Sequence, residues 1–104
     1  MSDRVYAVTR SYPDDERYDL MSQTRRAAVS ISANIAEGSG RASDSEYRHF
    51  IEIASGSLME TISHLASAHR QRLLSKTDFP SLYADCERIG KMLSALRNRL
   101  KAKT

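Results

Sequence analysis

The chain has 104 residues, of which 40% are hydrophobic and 28% charged, and its formal net charge is +3. This length allows one domain, which we place at residues 1–104, and the composition is typical of a globular protein rather than a disordered chain. The single cysteine, Cys86, excludes an internal disulfide and favours a reducing compartment. Since the sequence has neither a membrane-spanning apolar run nor the apolar stretch of a secretory signal, we expect a cytoplasmic protein with no membrane partner.

The first predicted elements are two helices. Residues 2–10 have the apolar spacing of about two helical turns and predict a short first helix. The second helix begins near Pro13, because proline and the acidic residues after it suit a first turn. Its apolar side chains recur at steps of three and four across residues 20–35. Gly38 and Gly40 predict a glycine C-cap at its end.

Two further long helices follow. Ser43 and Glu46 have the spacing of a capping box, in which each side chain binds a free backbone N–H of the other residue, and they predict the start of the third helix. Its apolar residues recur with helical spacing across residues 47–69. The fourth helix begins after Thr77, and its apolar residues continue across residues 79–100. No stretch has the alternation that predicts a strand.

The short linkers predict that consecutive helices pack antiparallel. Folding the second and third helices about residue 42 places Ile31 opposite Ala54, and Ala28 near Gly56 and Ser57. Small side chains at the latter position would let the two backbones come close. The predicted fold is therefore all-α, an antiparallel up-and-down four-helix bundle with a short first helix.

The second helix carries another apolar stripe outside its core-facing one, formed by Val29, Ala33 and Ala36. A helix that is apolar all round is a buried helix, and one small bundle cannot bury it alone. We therefore expect self-association that covers this second apolar stripe. Asn34 leaves two interpretations open: a buried asparagine that fixes register or oligomeric state, or, together with Glu37, a hydrogen-bonding residue at an exposed helix end.

The last helix carries the best candidate nucleic-acid-binding surface. Six basic residues and no acidic ones lie between residue 88 and the C-terminus, and their spacing spreads them over two to three faces of the helix. Phosphate binding needs such charge density, whereas Lys and Arg are also favoured at a solvated helix C-terminus by the helix dipole. Arg26 is a further candidate, against the alternative that a mid-helix arginine pairs with a nearby acid. The six residues are Arg88, Lys91, Arg97, Arg99, Lys101 and Lys103.

The sequence shows no arrangement typical of catalysis or metal binding. Glu60 and His64 are one position off the Glu-x-x-His spacing of a di-iron bundle, and no second copy exists. Cys86 lies on the core side of its helix, away from any zinc-ligand partner. Ser30 and Ser57 have no histidine and acid at a suitable distance in the bundle. We expect a non-enzymatic protein with no cofactor, metal or small-molecule substrate.

Two segments resemble the family of four-helix-bundle proteins encoded in intervening sequences of bacterial 23S rRNA genes. They are residues 23–41, QTRRAAVSISANIAEGSGR, and residues 45–65, SEYRHFIEIASGSLMETISHL. The resemblance extends over about residues 5–100, and the accessory variability determinants of diversity-generating retroelements look like a branch of the same family. The matching motif residues are Asn34, Ile35, Ala36, Glu37, Gly38, Arg41, Gly56, Ser57, Leu58 and Glu60.

The resemblance implies a non-enzymatic antiparallel bundle that assembles into a ring of five. The retroelement branch binds a reverse transcriptase and nucleic acid through basic surfaces, which implies RNA or a nucleic-acid enzyme as a partner here. The first helix is shorter than is usual in the family, so either the true start lies upstream of Met1 or this helix is stunted. We expect an oligomeric scaffold or adaptor. The alternative is a structural or protein-interaction module without affinity for nucleic acid.

Overall fold

The computed structural model describes residues 3–5, 18–72, 74 and 77–102. Residues 3–5 are helical and belong to α1; three long helices follow, namely α2 (Tyr18–Ser39), α3 (Asp44–Arg70) and α4 (Asp78–Ala102). These residues contain no strand, so the all-α prediction is confirmed. None of the described helices combines the length and apolar character needed to cross a membrane. The predicted bounds of the first helix and the start of the second lie outside the described residues.

The helices α2 and α3 pack antiparallel, in the predicted register. Ser30 Oγ and Ser57 Oγ lie 2.8 Å apart in the middle of the pair, and Gly38 lies against Tyr47 near the turn. Of the two residues predicted to lie near α2 at this point, Ser57 does so, but Gly56 is exposed and a Cβ built on it meets nothing within 4 Å. One step along a helix turns the side-chain direction by about 100°, and it is Ser57, one residue on, that faces α2.

The chain turns back between α3 and α4 through a residue in the left-handed backbone conformation. This residue is Arg72, with φ 63°, and its N–H donates to the carbonyl of His69 at 3.0 Å. A left-handed residue is a common way to end a helix, although glycine is usual there. The His69 ring stacks on Phe79 with centroids 4.4 Å apart, and Gly90 faces Leu58. These contacts show that α3 and α4 are antiparallel.

The core follows the buried sides of the helices, and α3 is central: α2 and α4 each pack on α3 but, within the described residues, not on each other. Thr24 and Thr61 are buried polar residues, and each donates a hydroxyl hydrogen bond to the carbonyl four residues earlier, at 2.7 and 2.9 Å. Apart from Val5 and Leu74, the core cluster lies on the predicted stripes of the long helices. Its members are Val5, Ala28, Ile31, Ile51, Ala54, Leu58, Leu65, Ala68, Leu74, Leu82, Cys86, Leu93 and Leu100.

An ion-pair cluster attaches α1 to α4. Arg4 pairs with the carboxylate of Asp85 and donates to the hydroxyl of Ser81, and Arg88 pairs with the same carboxylate. The Asp85 side chain is only 12% exposed, so the two guanidinium groups offset the hydration that its charge loses. Val5, next to Arg4, is fully buried in the core cluster. The described residues of the first helix are therefore part of the bundle.

The buried thiol of Cys86 should make the protein less stable at alkaline pH. Burial and, secondarily, the charge of Asp85 raise the pKa of Cys86 from 9.0 to about 11. Because the folded pKa is the higher one, the neutral thiol contributes stability that is complete below about pH 9 and is lost as pH rises towards 11. We expect the free energy of unfolding, measured with urea at several pH values, to fall over this range. The fall should be smaller in Cys86→Ala, and equal falls in both proteins would contradict the prediction.

Candidate functional site

The motif at the end of α2 forms a clasp around the α2–α3 turn. The guanidinium of Arg41 pairs with Glu37 on α2 and lies 4.0 Å from the carboxylate of Glu46 on α3. Its central carbon also lies 4.7 Å from the centroid of the Phe50 ring, a cation–π contact. We call these four residues the turn clasp. Through it, one arginine connects the last turn of α2 with the first two turns of α3.

The two helices come very close together at Gly38, beside the turn clasp. A Cβ on this residue would lie 2.8 Å from the Cβ of Phe50 and 2.8 Å from Cδ1 of Tyr47. Real Cβ atoms essentially never come so close to another heavy atom. Glycine is therefore needed at position 38 because no side chain fits between the helices.

The helix α2 ends where predicted, at Ser39 with Gly40 next in the chain, but it has no left-handed glycine cap. Gly38 is helical, α2 continues to Ser39, and none of the four glycines, all of which are described, has a positive φ. The helix end is closed instead by tighter bonds between residues three apart. The N–H of Gly40 donates to the carbonyl of Glu37 at 3.3 Å, and the N–H of Arg41 donates to that of Gly38 at 3.1 Å.

Asn34 makes its hydrogen bonds inside the protomer. Its Nδ2 donates to the carbonyl of Ser30 at 2.8 Å and lies 3.0 Å from the Oγ of the same serine. That hydroxyl in turn lies 2.8 Å from Ser57 Oγ, so a chain of hydrogen bonds links α2 to α3. The structure thus shows the hydrogen-bonding role for Asn34, and a role between copies of the chain stays a prediction.

Arg26 lies on a polar cleft between α2 and α3. The cleft has a volume of about 190 Å³, and Glu60, Ser30 and Ser57 also line it. Arg26 Nη2 donates to Ser22 Oγ at 3.1 Å. This candidate is thus placed between α2 and α3, whereas the other basic candidates belong to α4.

The predicted basic residues of α4 lie on more than one side of the helix, as their spacing predicts. Arg97 and Lys101 line the groove between α3 and α4, whereas Arg88 belongs to the ion-pair cluster that attaches α1. Arg99 is two residues beyond Arg97, which places it about 200° further round the helix. The other predicted residues are the exposed Lys91 and Arg99, and Lys103, which lies outside the described residues.

The groove between α3 and α4, which we call the basic groove, contains a residue that sequence analysis missed. It has a volume of about 380 Å³ and is lined by Arg48, Glu52, Arg97, Asn98 and Lys101. Arg48 could have been found from the register in which α3 and α4 pair. Since Leu58 faces Gly90 across the antiparallel pair, a residue ten positions earlier on α3 lies opposite the end of α4. The count of charges along α4 could not reveal a cation from another helix.

The second apolar stripe of α2 is exposed in the protomer. Val29 is 43% exposed, and Ala33 and Ala36 are exposed as well. On α3, Ile53 and Met59 are 40% and 64% exposed. Exposed apolar side chains grouped on helix surfaces mark sites of protein interaction more often than single ones do.

The histidines and the cysteine are spread through the bundle. His64 Nε2 lies 3.4 Å from Glu60 Oε1, one turn earlier on α3, while His69 stacks on Phe79 and Cys86 is in the core. Within the part of the chain that the structure describes, no three His, Cys, Asp or Glu side chains are grouped so that they could hold a metal ion.

Four packed helices, a clasped turn and charged surfaces on α3 and α4 define an all-α helical-bundle protein. Its charged grooves lie between helices, and its exposed apolar residues lie on α2 and α3. The chain belongs to the 23S rRNA-intervening sequence protein family, whose family model matches residues 1–95. This match confirms the resemblance carried by the motif residues of α2 and α3. None of the curated proteins matches the chain.

Substituting Gly38 and Gly56 separates the effect of packing on stability from the effect of backbone flexibility. We expect Gly38→Ala to lower the free energy of unfolding by about 1–3 kcal/mol, because Tyr47 and Phe50 must move to admit the methyl group. The matched control is Gly56→Ala, the same change on a helix with open space around it, which should stabilise the protein by about 0.5–1 kcal/mol. Urea denaturation, monitored by circular dichroism, measures the change in both variants. Equal stability of the two variants would show that the contact at position 38 does not require glycine.

Proposed function

We propose that the protein is a non-enzymatic cytoplasmic scaffold or adaptor that assembles into a homo-oligomer and binds RNA through its basic surfaces. The observation that carries the proposal is the charge of the last helix, where six basic and no acidic residues lie between residue 88 and the C-terminus. The family takes its name from the intervening sequence of 23S rRNA, and a role with RNA is in keeping with that name. A nucleic-acid enzyme held on the same scaffold is the further partner that the resemblance implies.

Several of these charges are available for phosphate groups. Lys91 and Arg99 are exposed and form no ion pair with any described residue. Arg97 lies in the basic groove, where acidic side chains are outnumbered. Arginine and lysine that are not neutralised within the protein release counterions from a nucleic acid when they bind its phosphates, and this release drives binding.

The second apolar stripe supports the homo-oligomer. Val29, Ala33 and Ala36 form a continuous row at steps of four and three on the exposed side of α2, and a second copy of the chain would remove this row from water. The pentamer is the state that the resemblance implies. A closed ring repeats the basic groove once in every subunit, so sites that are weak singly would act together on one RNA.

A structural or protein-interaction module without affinity for nucleic acid is the second candidate. It is favoured by two strongly exposed methionines, Met59 on α3 and Met92 on α4, which are 64% and 51% exposed. Methionine is common on surfaces that bind proteins, because its flexible side chain adapts to different partners.

The first prediction from this proposal concerns RNA binding. We expect a variant with five basic residues changed to Gln to lose at least about a hundredfold in affinity for a structured RNA, because five positive charges are removed from the proposed RNA-binding surfaces. Arg88 is left unchanged because it pairs with Asp85. Gel shifts at several salt concentrations measure the effect. The five residues are Lys91, Arg97, Arg99, Lys101 and Lys103.

The control changes Arg70 and Arg72, two exposed basic residues at the opposite end of the α3–α4 pair, to Gln. It should lose much less affinity for each charge removed. If the wild-type protein binds no RNA, or if both variants lose the same affinity per charge, the proposed role of α4 is wrong.

The second prediction concerns assembly. We expect wild-type protein at micromolar concentration to sediment as an oligomer and Val29→Asp to sediment as smaller species, because the substitution places a charge in the apolar row that self-association would bury. Ser45→Asp is the control: it adds the same charge at an exposed position in the first turn of α3, where an acid is tolerated. A folded wild-type monomer in sedimentation would exclude the homo-oligomer.

A further inference from the structure

The basic groove collects charged side chains from two helices. Arg48 and Glu52 are one turn apart on α3, and Arg97 and Lys101 are one turn apart on α4 on the other side of the groove. The amide of Asn98 completes the lining. Three cations and one carboxylate line this groove, which is open to solvent.

The two arginines are the best placed of these groups. Arg48 and Arg97 are only partly exposed, whereas Glu52 and Lys101 are exposed. Partial burial lowers the effective dielectric around the guanidinium groups, so both their mutual repulsion and their attraction for an anion are stronger than in water. Two arginines that approach from facing helices can each offer a planar pair of N–H donors to the oxygens of one phosphate group.

We propose that the basic groove is a phosphate-binding site, in which Arg48 and Arg97 bind oxygens of one phosphate group from opposite sides. Lys101 adds charge, and Asn98 offers an amide donor. In the role proposed above, on which this part of the inference rests, the phosphate is a phosphodiester of the RNA backbone. Free pyrophosphate has the same chemistry, and the experiments separate the two sources.

Glu52 gives the site a distinctive property. Its carboxylate lines the same groove as the three cations, so it repels an incoming phosphate and weakens the site. Replacing it by Gln removes the repulsion and keeps the shape of the side chain. Binding should therefore become tighter in Glu52→Gln, a gain that damage to the fold cannot produce.

The decisive experiment is a double-mutant cycle in the full chain, with an RNA hairpin as the probe. Arg48→Gln and Arg97→Gln should each weaken binding about tenfold, the typical loss for a charged hydrogen bond. Together they should weaken it by clearly less than the product, because both contact one phosphate. Each should also reduce the slope of log affinity against log salt by about 1, and Glu52→Gln should raise the affinity about threefold or more.

The matched control is the cycle of Lys91→Gln and Arg99→Gln, two exposed residues outside the basic groove. This cycle removes the same charge from the protein, and its two effects should multiply. The inference is overturned if Arg48→Gln leaves RNA affinity unchanged, or if the Arg48 and Arg97 effects multiply as in the control.

A second readout does not depend on RNA. Inorganic pyrophosphate, titrated into the wild-type protein, should shift the arginine Nε–Hε NMR signals of Arg48 and Arg97, and the Arg97 shift should be lost in Arg48→Gln. Such shifts in a protein that binds no RNA would support the groove and reject the proposed function. If the protein binds RNA, the Arg48→Gln and Arg97→Gln effects multiply and pyrophosphate causes no shift, the proposed function is supported and the phosphate-binding site in the basic groove is rejected.

Discussion

The rest of the structure depends on the contact at Gly38, where α2 comes so close to Tyr47 and Phe50 that no Cβ fits. This contact fixes the direction in which α3 leaves the turn. Arg41 of the turn clasp binds the first two turns of α3 through its ion pair with Glu46 and its cation–π contact with Phe50. Arg48 follows Tyr47 directly. Because one step along a helix rotates the side-chain direction by about 100°, fixing Tyr47 against α2 directs Arg48 towards α4. The turn therefore sets the geometry of the basic groove.

Helical periodicity was sufficient to predict the fold, because burial on one side of a helix leaves a repeating pattern. The core residues of the three long helices follow that pattern, and Ser43 accepts the N–H of Glu46 as the capping box predicts. The errors concern glycine. Glycine at 38 serves packing, glycine at 56 faces open space, and the left-handed residue is Arg72. A sequence shows that a residue is small but not which side of the helix meets a neighbour.

The sequence predicted that the candidate site is basic, but it predicted only some of the residues that form it. Charge counting found the basic residues of α4, since charge is visible without structure. It could not show that Arg88 already shares a carboxylate with Arg4 on another helix, or that Arg48 joins Arg97 across the basic groove. Each of these facts depends on residues far apart in the chain, and the sequence contains them only through the register of antiparallel helices.

The central position of α3 keeps the two exposed surfaces apart. Both α2 and α4 pack on α3 and, in the described part, not on each other. The second apolar stripe lies on the outer side of α2, whereas the basic groove lies between α3 and α4. Because a helix separates the two surfaces, a partner that covers the stripe need not cover the groove. One small bundle can therefore present an apolar surface and a charged surface at the same time, as the proposed RNA-binding scaffold requires.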